Sequence, residues 1–158
     1  MLCVMRGPVQ VPSSHEATRS FGVDAARYPP PPVFTAPIVD KQGFMSLPTD
    51  AVVKHFASDL PASEARVVAA TQGPINVSAF DAKVSAVAWK TKPSWYIVSK
   101  LDGAIAPDEE RFFAKRMKAT TTELKASHVA MLSQPQAVAA VIMDAAGKAS
   151  VASAGRAP

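Results

Sequence analysis

Apolar positions change their spacing several times along the chain. Over residues 1–40 no period survives, because Pro8, Pro12, the run Pro29-Pro30-Pro31-Pro32 and Pro37 interrupt every apolar stretch. Each proline fixes φ and removes an amide donor, so neither a helix nor a central strand runs through it. The four-proline run favours extended polyproline geometry. Residues 1–40 are therefore expected to be a mostly irregular arm. From residue 49 the spacing turns helical. Thr49 or Asp50 caps a helix that reaches Ala57, with Val52, Val53 and Phe56 on one face. Pro61, Ser63 and Glu64 open a second helix carrying Val67, Val68 and Ala69, which Gly73-Pro74 breaks. Residues 75–89 predict a third, with Val77, Phe80, Val84, Val87 and Trp89 turned inward. The region 41–90 thus reads as a helical, cap-like layer that cannot fill a core alone.

After Lys92-Pro93 the pattern changes to Ser94-Trp95-Tyr96-Ile97-Val98-Ser99, rich in aromatic and β-branched residues. Its near-continuous apolar run suits a strand covered on both faces. A polar turn, Lys100 to Gly103, follows. Pro107 with Asp108, Glu109 and Glu110 opens a helix, the acids lying at the positive end of its dipole. Phe113 and Met117 form its inner stripe; Lys115, Arg116 and Lys118 sit near its negative end. Residues 120–124 predict a second strand. Ser133 and Gln136 read as a capping box for a last helix with Val138, Val141 and Ile142, ending at Gly147. Residues 147–158 are expected to be a disordered tail. Strand, helix, strand, helix over 91–146 is the alternation of an α/β chain with parallel strands and crossover helices. Two strands do not make a stable sheet alone, so this unit reads as part of a larger α/β architecture.

Composition narrows the class. The chain has 158 residues, 48% hydrophobic and 19% charged, with one Cys and 14 Pro. That suits one globular domain and excludes an intramolecular disulfide framework or a cysteine-based zinc site. The net charge of +4 is uneven, about −1 over residues 1–82 and +5 over 83–158. It is too dispersed for a nucleic-acid surface, and no nucleic-acid partner is expected. No apolar run approaches the ~18 residues of a membrane span, and the charge near Met1 is on the wrong side for a secretory signal. No membrane partner is expected, and a cytoplasmic location is the default.

Two ionisable residues stand just past the carboxyl ends of the two strands, where α/β sheets place function. Asp102 follows the first strand and His128 the second. A carboxylate and an imidazole on adjacent loops can orient and stabilise a catalytic imidazolium. A turn-capping Asp and a His satisfied by backbone carbonyls explain the same residues separately. The other histidines carry less. His15 lies in the Pro-rich arm and His55 on a helix beside Phe56, and no spacing among the three supports a metal site. Cys3 has no base near it in sequence. Ser127 abuts His128, and Ser133 reads as the helix cap.

The segments from Trp89 to Val98 and from Leu101-Asp-Gly-Ala-Ile-Ala to Pro107 resemble the late strand and acid loop of α/β-hydrolase-fold enzymes. Arg111 to Met117 resembles the helix that follows, and Ala126-Ser-His-Val-Ala-Met-Leu-Ser-Gln-Pro135 the histidine loop and last helix. The resemblance is to the branch of small esterases, methyl esterases and hydroxynitrile lyases. It runs from about residue 28 to 146, with the helical region as cap. It implies a partial α/β-hydrolase fold, made of the cap and the last two parallel strands with their helices. It also implies ester or acyl hydrolysis of a small ester-like substrate, with Asp102 as triad acid, His128 as general base, and no cofactor or metal. Phe44, Met45, Phe56, Phe80 and Trp89 would line an acyl pocket, or simply form core. The family's serine stands in a G-x-S-x-G elbow, and none of the seven glycines here brackets a serine that way. The alternative expectation is a truncated, non-catalytic hydrolase-like protein acting as an interaction module and self-associating through an exposed sheet edge.

Overall fold

The structure is a computed structural model that describes residues 2–5, 31–81 and 87–154. Its centre is a three-stranded sheet in the order β1-β5-β6, formed by Leu2–Met5 (β1), Ser94–Ser99 (β5) and Thr120–Leu124 (β6). A second small sheet joins Ile38–Val39 (β2), Phe44–Ser46 (β3) and Ile75–Asn76 (β4), all antiparallel. Helices follow at Thr49–Ala51 (α1), Ala62–Thr71 (α2), Pro107–Arg116 (α3), Ala130–Ser133 (α4) and Pro135–Ala154 (α5). The last two strands pair in parallel, Trp95 with Thr120 through Ser99 with Leu124, and α3 makes the crossover between them.

All six residues of β5 are buried, and the pleat sorts them. Trp95 and Ile97 face Ala130, Val138, Val141 and Ala145 of α4 and α5, with Ala126 between. Tyr96 and Val98 face Ile105, Phe113 and Ala114 on the α3 side. A strand packed by helices on both faces has no polar side to alternate with, which is why its sequence is continuously apolar. The Trp95 indole N–H donates to Asp144 at 2.8 Å, tying α5 to the sheet. Across the other face, Arg111 holds Glu123 of β6 through two bonds of 2.8 Å each.

Helix α3 starts as its sequence reads, with Pro107 in the first turn. Its end is less ordinary. Lys118 N–H bonds Lys115 C=O and Ala119 N–H bonds Ala114 C=O, each at 3.0 Å, with Lys118 at φ 51°. This is a Schellman cap with lysine where glycine is favoured.

Several expectations are corrected. The arm, expected to be mostly irregular, holds two ordered pieces: Leu2–Met5 pairs antiparallel with β5, and Val33, in a 3₁₀ turn at Pro32–Phe34, is fully buried. Residues 6–30, with His15, lie outside the described residues. The described residues of 75–89 do not form the expected third helix. Ile75–Asn76 is a strand, and 3₁₀ turns occupy Val77–Asp81 and Ala88–Lys90, with Val77 exposed; Val84 lies outside the described residues. Asn76 explains the break at its own position, its side-chain oxygen accepting both the N–H and the O–H of Ser78. The helix expected from Thr49 or Asp50 to Ala57 is interrupted too, passing from α1 into a π turn, Val52–Phe56. Ser133 does not cap α5; it closes α4, and Gln134 precedes Pro135 while its side-chain amide donates to Lys125 C=O at 2.8 Å. Nor does Gly147 end α5, which continues to Ala154, with Lys148, Ala149, Ala152 and Ala154 as good helix formers. Ile142 is exposed rather than core. Residues 155–158 lie outside the described residues.

Candidate active site

Beyond the last β5–β6 pair, the parallel ladder continues into the loops. Lys100 N–H donates to Leu124 C=O at 2.9 Å and Leu101 N–H to Ala126 C=O at 3.0 Å. The acid loop and the histidine loop are thereby held side by side at the carboxyl end of the sheet.

Asp102 N–H turns back to Ser99 C=O at 3.1 Å. Its Oδ1 accepts the N–H groups of Ala104 (2.6 Å) and Ile105 (3.0 Å), which fixes the carboxylate on its own loop. Its other oxygen, Oδ2, lies 2.7 Å from Nδ1 of His128. The Asp102 side chain has no exposed surface, whereas that of His128 keeps 23%. Burial alone would raise the Asp102 pKa. The hydrogen bond and charge of His128, with bonds from Glu110 and Ile105, outweigh it and hold the carboxyl below its ordinary value. An anionic Asp102 selects the imidazole tautomer protonated on Nδ1, which puts the basic lone pair on Nε2.

The helical layer closes over this pair. The Phe56 ring lies 4.5 Å from that of His128, tilted by 36°. His55 contributes its backbone: its carbonyl accepts Gly103 N–H at 3.0 Å, next to Asp102. The approach is so close that a Cβ at Gly103 would stand 2.5 Å from that carbonyl oxygen. Asp59 reaches the histidine loop, accepting both the N–H of Ser127 (2.9 Å) and its hydroxyl. Burial would raise Asp59, but the Ser127 hydroxyl and N–H hold it below its ordinary value, and the nearby Ser133 hydroxyl adds to this. Val129, just past His128, packs with Val52, Ala57, Ala65 and Ala69 of the same layer.

Asp102 and His128 are thus brought together. Of the aromatic residues considered for a pocket, Phe56 reaches His128; Phe44 is 40% exposed on the small sheet, and Trp89 lies beneath the Arg116 guanidinium at 5.3 Å. Cys3 pairs in register with Tyr96 in the sheet, away from both loops. Among the described residues, no three or more His, Cys, Asp or Glu side chains are placed to share a metal ion. Nor is any helix there long and apolar enough to cross a membrane.

Three contributors escaped the sequence: Asp59, the His55 carbonyl and Glu110. Glu110, in the first turn of α3, is fully buried, and its Oε2 accepts Ser99 N–H at 2.8 Å. Burial, then the hydrogen bond and charge of Asp102, push its pKa up to about 9 against the opposing pull of the Ser99 N–H. The only sequence signal was a third acid where the helix dipole needed no more than one or two.

A parallel strand pair joined by a crossover helix, with both following loops gathered at one end of the sheet, is a unit of an α/β fold. The sequence profile of the alpha/beta hydrolase family matches residues 3–141, and the chain belongs to that family. Among curated proteins no sequence matches it. Among solved structures, polyneuridine aldehyde esterase superimposes with a TM-score of 0.63 at 16% identity. The match covers 85% of this chain and 58% of that one, so the chain spans somewhat over half the length of this structural relative.

Proposed function

We propose that this chain supplies the acid and the general base of an ester- or acyl-hydrolase triad acting on a small ester-like substrate. One observation carries the reading: a buried carboxylate lies 2.7 Å from an imidazole, each on the loop that ends one of two adjacent parallel strands. The chemistry follows from the tautomer. His128 Nε2 takes the proton of a serine hydroxyl as that oxygen bonds to the acyl carbon. Asp102 balances the imidazolium charge, and the proton passes on to the departing alkoxide. Water then enters by the same route and releases the acid. The serine belongs to a segment other than this one, since no G-x-S-x-G is present in it. The esterase name of the structural relative is in keeping with the substrate class.

The test is hydrolysis of p-nitrophenyl acetate by the protein isolated from its source with this chain in place. His128→Ala abolishes turnover, and Asp102→Asn lowers kcat by about 10⁴-fold through the wrong tautomer. Full activity in His128→Ala overturns the reading. The absent nucleophile motif favours a second reading, a non-catalytic hydrolase-like chain serving as an interaction module. That reading requires no serine-dependent turnover and self-association of the isolated chain.

A further inference from the structure

We propose that Glu110 is a positioning residue for the acid–histidine pair, holding a proton that it donates to the Asp102 carboxylate. The inference rests on the reading of Asp102 and His128 as a working pair, but its geometry stands apart from any substrate. Glu110 Oε2 is satisfied by Ser99 N–H. Its Oε1 is buried with no hydrogen-bond partner when the group is counted as a carboxylate, which can only accept. Ser99 links it to the acid loop, its N–H held by Glu110 and its C=O accepting the Asp102 N–H at 3.1 Å, and the Asp102 carboxyl is the neighbouring acid that acts on Glu110. Two carboxylates in that space would leave an unbalanced buried charge, so one of them carries a proton.

The surroundings decide which one. Asp102 has His128 on Oδ2 and two backbone N–H groups on Oδ1, all favouring its anion. Glu110 has a single N–H. The group acting on it from outside its own helix is Asp102, on the loop after β5, which itself faces His128 on the loop after β6. The Ser99 N–H pulls the other way. The proton therefore stays on Glu110, and the row reads Glu110 carboxylic acid, Asp102 carboxylate, His128 Nδ1–H. The neutral acid occupies an Asp102 lone pair without competing for the imidazole and fixes the carboxylate from behind. As pH rises through about 9 the proton leaves, the carboxylates repel, and the hold on His128 loosens.

The test uses proton NMR of the full chain, following the low-field Nδ1–H resonance that His128→Ala removes. In the parent chain it is expected at neutral pH and lost as Glu110 ionises. Glu110→Gln keeps a donor toward Asp102 and an acceptor for Ser99 without a titrating proton, so the resonance persists into alkali. Glu110→Ala weakens it at neutral pH. A second readout is urea unfolding, in which the folding constant of the parent falls tenfold per pH unit relative to Glu110→Gln between about pH 5 and 9. Identical pH behaviour of parent and Gln variant in both measurements overturns the proposal. Because neither readout involves turnover, an inactive protein with these signatures would sink the hydrolase reading and leave the role of Glu110 standing.

Discussion

Replacing Gly103 by alanine tests how the acid loop is held against the helical layer. The new methyl would lie 2.5 Å from the His55 carbonyl oxygen and 2.9 Å from the His55 Cβ, where ordinary contact begins at 3.4 Å. The two backbones must separate by about 0.9 Å, and no flexible side-chain end is there to yield. Separation stretches the Gly103 N–H bond to His55 C=O, now 3.0 Å, and strains the Val33 N–H bond to Gly103 C=O, now 3.2 Å. Overpacking costs about 1–3 kcal/mol, and a weakened backbone bond about 0.5–1.5 kcal/mol. A loss of about 1.5–4.5 kcal/mol follows, together with displacement of Asp102 from His128. Urea unfolding of the chain measures it, with two internal controls. Gly73 has nothing within 4 Å of a Cβ, so alanine there is nearly silent. Gly147 lies inside α5 with equal room, so alanine there gains about 0.5–1 kcal/mol from helix propensity alone. Gly103→Ala within about 0.5 kcal/mol of the parent, the range of an ordinary surface change, would refute the packing of the acid loop on the π turn.

Three further outcomes are expected. Lys118→Gly relieves the left-handed φ at the end of α3 and raises stability by about 0.5–1 kcal/mol in the same assay. Asp59→Ala strips the acceptor from the buried Ser127 N–H and O–H and lowers stability by about 1–3 kcal/mol. Because Asp59 titrates below 3.8 in the folded chain, its contribution is present above that value and lost as pH falls further, so parent and variant converge in strong acid. Ile97→Ala, in the middle of β5 and 1% exposed, costs about 2–5 kcal/mol, whereas Met143→Ala, 71% exposed, leaves the unfolding midpoint nearly unchanged.

What the sequence conveyed and what it withheld divide along a physical line. Strand β5 was legible because burial on both faces demands six consecutive residues that tolerate a dry environment. Helix α3 was legible because Pro107 and its acids suit the free amides of a first turn. Asp102 and His128 stood where parallel strands deliver their following loops, but position left a turn-capping Asp and a backbone-satisfied His equally open, and the resemblance to α/β-hydrolases was needed to single them out. The antiparallel β1 and the small sheet were not, because strands of two to four residues carry no measurable period and owe their pairing to distant partners. Ser133 and Gln136 matched a capping pattern that Pro135 pre-empted by starting the helix itself. Glu110 looked like a complement to the helix dipole. Its burial depends on where the turn after β5 folds back, and no spacing encodes that. Asp59, 68 residues from Ser127, belongs to the same class of contact.

The most direct test of the central claim is labelling with a fluorophosphonate, which attaches covalently to a serine only when a neighbouring base has activated it. The protein is taken from its source with this chain in place, and the modified peptide is identified by mass spectrometry. The account predicts one labelled serine outside residues 1–158, on the same or a bound polypeptide, with labelling lost in His128→Ala. Labelling that survives His128→Ala, or no labelled serine at all, would contradict it.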